Sequence, residues 1–129
     1  MSSHKKFVID FFHQIRSGQA LEHVEHFLHD IVIAHQVQSE HEYSVERTPE
    51  EYAQHVLEMK QEYGNFSLEI QQIIAEEEKV YVCWKQTSDA QHPKKIVEIA
   101  SAVYLIRNGK ISEYWIQVDR KGVELQSEV

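Results

Sequence analysis

The chain has 129 residues, 42% hydrophobic and 26% charged, the composition of one globular domain with room for a single core. Thirteen Lys and Arg stand against 21 Asp and Glu, and the net charge of −8 excludes the basic face that a nucleic-acid binder needs. No apolar run approaches the ~20 residues of a membrane span, and the opening MSSHKKFVIDFF lacks the features of a secretory leader; a cytoplasmic protein with no membrane partner is expected.

In residues 5–17, Phe7, Val8, Phe11, Phe12 and Ile15 recur at helical spacing and predict a first helix, stopped by Gly18. A short second helix is expected over 20–28, with Leu21, Val24, Phe27 and Leu28 inward. This stretch also carries His23, His26 and His29. Spacing by three brings the first two to one face and turns the third away. The helical zinc pattern, two His four apart with a Glu between, is absent, so no metal site is expected. The β-branched run 31–38 predicts a strand with Ile31, Ile33, His35 and Val37 on one face. Thr48, Pro49 and Glu51 then form the start signal of a third helix, with Tyr52, Val56, Met59 and Tyr63 as its apolar stripe and Gly64-Asn65 as its end.

Four strands are expected in the second half, over 66–76, 80–87, 95–107 and 111–119. Helices followed by an antiparallel meander make an α+β pattern. The single cysteine, Cys83, lies in the apolar stretch VYVCW and is read as a buried, inert thiol. No glycine-rich phosphate loop occurs, and no cofactor is expected.

Asn108-Gly109 is the strongest hairpin signal in the chain. A two-residue turn there fixes the register, pairs Arg107 with Lys110 and sets Leu105, Val103, Ser101 and Ile99 on one face with Ser112, Tyr114, Ile116 and Val118. That face is the more apolar and is expected to look inward. The other carries Tyr104, Ile106, Ile111 and Trp115, an aromatic and aliphatic patch expected outside, where it would serve a homodimer. The same pairing sets Glu98 beside Asp119 on the outer face and discounts Glu98 as a base.

The segments VIDFFHQIRSG, LHDIVIAHQ, RTPEEY, EKVYVCW and YLIRNGKISEYWIQVDRKGVELQ resemble the NTF2-like superfamily, and within it the SnoaL-like group of polyketide cyclases and ester-cyclase-like proteins. The resemblance implies one domain over 1–129. Its fold would be an α+β cone, with three N-terminal helices packed in a strongly curved mixed sheet. It also implies an internal, mostly apolar pocket and dimerisation through the sheet exterior. The acid/base aspartate that such cyclases carry on the last strand falls on Ile116, and an Arg and an Asp of related hydrolases fall on Trp84 and Gln86. His35, on a strand where the group often carries a polar pocket residue, is left as the candidate general base. Tyr63, Trp84, Gln86, Ser101, Tyr114 and Ile116 are the candidate contacts for a small hydrophobic or ring-containing ligand. Two readings stay open: cofactor-free acid/base chemistry on a small cyclic or carbonyl compound, or a ligand-binding or protein-association module without turnover.

Overall fold

The apolar stripe of the first segment does make a helix. α1 spans Ser3–Phe11 and runs on as a π-helical turn, Phe12–Arg16, in a computed structural model that describes residues 3–128. Val8, Phe11, Phe12 and Ile15 are at most 1% exposed, and Arg16 follows Phe12 by four residues on the same inward stripe. The second segment is tighter than expected, a 3-10 helix over Leu21–His26. Rings of His23 and His26 stack at 5.6 Å, while His29 Nε2 lies 2.6 Å from the Arg107 carbonyl, so the three do not converge.

β1 (Leu28–Gln36) is followed by a short strand the sequence pattern did not suggest, β2 (Tyr43–Arg47). α2 (Pro49–Tyr63) starts as expected. The Thr48 hydroxyl accepts from the Glu51 N–H at 3.2 Å, and the Glu51 carboxylate accepts from the Thr48 N–H at 2.8 Å. Thr48→Ala should cost about 1 kcal/mol, since it orphans one helix-end donor; urea unfolding would show the loss as a lower midpoint with unchanged slope. β3 (Ser67–Glu76), β4 (Lys79–Thr87), β5 (Val97–Arg107) and β6 (Lys110–Val118) complete the sheet. A C-terminal helix, α3 (Arg120–Ser127), follows, where Asp119 caps the Gly122 N–H at 3.0 Å.

The sheet order is β2-β1-β6-β5-β4-β3, mixed because β1 and β6 run parallel. Register breaks in the β1–β6, β3–β4 and β5–β6 pairs increase its twist and curl it around α1 and α2. This is the expected α+β architecture of helices held in a strongly curved mixed sheet.

The β5–β6 break corrects the assignment of faces. Ile106 opposes Ile111 as expected, but Leu105 opposes Glu113, so Ser112 is an extra residue on β6. Beyond the bulge Tyr104 pairs with Tyr114, Ala102 with Ile116 and Ala100 with Val118. The bulge leaves Tyr114 and Ile116 inward and Trp115 outward, as expected, but inverts β5. Tyr104, Ile106 and Ile111 are core residues, exposed by 1%, 2% and 0%, and not members of an outer patch. Ser101, in turn, is on the outer face. Cys83 is half-buried and also faces outward, so the thiol is not part of the core.

Candidate functional site

Between the concave sheet and α2 lies a cavity of about 320 Å³, at the lower end for a small-molecule site. Five of the chain's six tyrosines line it: Tyr43, Tyr52, Tyr63, Tyr104 and Tyr114. Ile116, Val118 and Met59 add apolar wall. The remainder is polar. Arg16 enters from the end of α1, Arg47 from β2, His55 and Glu62 from α2, and Glu98 from β5. The cavity is therefore not mostly apolar.

Arg16 is 5% exposed. Its guanidinium sits 5.6 Å from the Trp84 ring and 5.9 Å from the Phe66 ring, a cation held by aromatic faces. Its Nη1 is buried without a hydrogen-bond partner, as is Nε of Arg47. Arg120, at the rim, is bridged to Glu40.

Glu98 lies on the inner face of β5 with Ala100 and Ala102, and opposes Gln86 across the β4–β5 ladder. The sequence-based assignment to the outer face beside Asp119 fails because of the bulge at Ser112. Burial pushes the Glu98 carboxyl above its ordinary range; Arg16 pulls it down and Glu62 pushes it further up. Burial likewise raises the phenols of Tyr52, Tyr63, Tyr104 and Tyr114 and keeps them as donors. Burial lowers the His55 imidazole, and the charges of Arg47 and Arg16 lower it further. The cavity thus combines a carboxyl raised above its ordinary range, fixed cations and protonated phenols. Such a set can take a proton from carbon and hold the resulting oxyanion.

His35 is not in the cavity. It projects from the outer face of β1, where Trp115 stacks on it at 5.0 Å. The Ser44 hydroxyl lies 2.6 Å from Nδ1, and Glu113 is hydrogen-bonded to Nε2. The alternation of β1 placed Ile31, Ile33 and His35 together correctly, but Val32 and Ala34, at 1% and 0% exposure, are the pair that faces the core. Of the six candidate ligand contacts, Tyr63, Tyr114 and Ile116 line the cavity. Trp84 and Gln86, exposed by 0% and 3%, are buried behind its wall, and Ser101 borders a shallow depression on the other side of the sheet. Arg16, Arg47, His55 and Glu98 were missed. Arg16 and His55 lie at helical spacing from the stripes already identified, which is the signal that could have found them.

The family of SnoaL-like polyketide cyclases matches this chain over residues 6–127. A structure assigned as a polyketide cyclase from Acidithiobacillus ferrooxidans superimposes with TM-score 0.82 at 19% identity, covering 97% of this chain and 94% of that one. IdmH of Streptomyces antibioticus, also assigned as a polyketide cyclase, gives 0.81 at 13% identity over 99% and 100%. An LEH-like epoxide hydrolase of M. tuberculosis gives 0.72 at 17% over 95% and 90%. At these identities the likeness is one of fold. No curated protein matches by sequence.

Proposed function

The chain belongs to the SnoaL-like polyketide cyclases, and on that premise we propose that its cavity binds a small ring-containing carbonyl compound and moves a proton on it without a cofactor. Glu98 is the general base, replacing His35 in that role, and the buried guanidinium of Arg16 with the phenols of Tyr52 and Tyr104 stabilises the enolate oxygen. The observation that carries this reading is a half-buried carboxyl on a cavity wall beside a fixed cation, raised above its ordinary range by burial. The non-ionisable residues at 84, 86 and 116 support a second reading, binding of the same ligand class without turnover.

Proton exchange separates the two. Incubated with 2-tetralone in deuterium oxide, the protein should speed deuterium incorporation next to the carbonyl, followed by NMR, and Ile116→Trp, which fills the cavity, should abolish the acceleration. Binding without exchange favours the second reading, and absence of both rejects the cavity as a site for this class.

We also propose that the protein is cytoplasmic and a homodimer through the outer sheet face. Among the described residues no helix is long and apolar enough to cross a membrane. Ile31, Ile33 and Ile99 are 49%, 36% and 41% exposed on the outer face that also bears Trp115. Light scattering at micromolar concentration should give twice the chain mass, and Ile33→Glu should shift it to the monomer; a wild-type monomer rejects the dimer.

A further inference from the structure

We propose that the ligand of this cavity carries a carboxylate, clasped between Arg16 and Arg47. The proposal rests on the reading of the cavity as a small-molecule site and assigns the chemical class of its occupant.

Arg16 is a charge almost wholly withdrawn from water. Trp84 and Phe66 hold its guanidinium by their faces, which fixes the fork without satisfying Nη1. Arg47 approaches from β2, where against the upward push of burial its charge holds the Tyr114 phenol down, while its Nε stays buried and unpartnered. Among the described residues neither arginine forms a salt bridge. Buried donors without acceptors are uncommon, and two cationic ones on one small cavity point to an acceptor that arrives from outside. A planar carboxylate matches the guanidinium fork, which a neutral carbonyl cannot engage as fully. The whole chain is acidic, at −8, so this pair of cations is a local inversion of sign and not an extension of a basic surface.

The arrival of an anion has a second consequence. Glu98 faces Arg16 from the π turn, Glu62 and Tyr63 from α2, Arg120 from the start of α3, and Gln86 across the ladder. A ligand carboxylate draws on the field of Arg16 that now supports the ionised Glu98, so binding raises that carboxyl further, is accompanied by proton uptake there and weakens as pH rises, and Glu98 acts as a base on an acidic ligand only at higher pH than on a neutral one.

The test compares 2-naphthoate with its neutral isostere 2-naphthamide by isothermal titration calorimetry. At pH 6 the carboxylate should bind at least about tenfold more tightly, the value of one charge-assisted pair. Its affinity should fall toward pH 8, and two buffers of different ionisation heat should reveal proton uptake that Glu98→Gln removes. Arg16→Met should erase the preference for the acid. Should that variant fail to fold, Arg47→Met should reduce the preference in the same direction. Equal affinities for acid and amide overturn the proposal, and so does an undiminished preference in both arginine variants. If 2-tetralone still exchanges in that case, the proton-transfer reading stands alone. If neither naphthyl compound nor 2-tetralone binds, both fall together.

Discussion

Glu98→Gln is expected to reduce exchange on 2-tetralone by about 10²–10⁴, and to raise the unfolding temperature at pH 7. The two effects share one cause. Burial, then the charge of Glu62, raises the carboxyl against the pull of Arg16. A carboxyl raised in the folded state contributes stability that is fully present below its unfolded value, about 4.3, and is lost as pH rises through the raised folded value. At neutral pH the native carboxylate therefore burdens the fold, and glutamine relieves it. The difference in melting temperature between variant and wild type should be small in acid and grow toward neutrality. Exchange by the wild type should climb with pH through the raised value and then level off, because a base must be ionised to accept. The variant should show a low, flat profile. An inactive variant that also melts earlier would mark Glu98 as structural, and an active one would remove it from the chemistry.

Trp84→Ala should cost about 3–5 kcal/mol, against a stability of about 5–15 kcal/mol for an ordinary domain. The indole is wholly buried and meets Phe12 edge-on at 5.0 Å, so its loss opens a cavity that the surrounding strands and α1 cannot close. The same substitution removes one of the two rings that seat Arg16. Urea unfolding should show a large drop in midpoint. Trp84→Phe, which keeps an aromatic face, should retain most of the stability and the preference for an acidic ligand. A mild effect of the alanine would mean that the wall behind the cavity is plastic.

The bulge at Ser112 decided most of what the sequence pattern misplaced. A hairpin ladder read outward from Asn108-Gly109 is correct for its first pairs and on the wrong register after them, because one extra residue on β6 changes which residues of β5 it opposes. Glu98 and Tyr104 moved inward by that step, and Ser101 outward. His35 failed for a related reason. Periodicity tells which residues share a strand face, but Ile31, Ile33 and His35 alternate with Val32 and Ala34, and both sets are plausible interiors. Only the packing of α1 and α2 on one side chooses between them.

Helix positions, the capping box of α2, the Asn108-Gly109 turn and the α+β class were legible because each depends on contacts within a few residues. Arg16 and His55 were legible in principle, since helical spacing alone aligns them with the inward stripes. The polar character of the cavity was not. It arises where the π turn after α1, the end of β2, one face of α2 and a bulged hairpin converge, and the burial that raises Glu98 and strands Nη1 of Arg16 without a hydrogen-bond partner exists only once the sheet has curled around the helices.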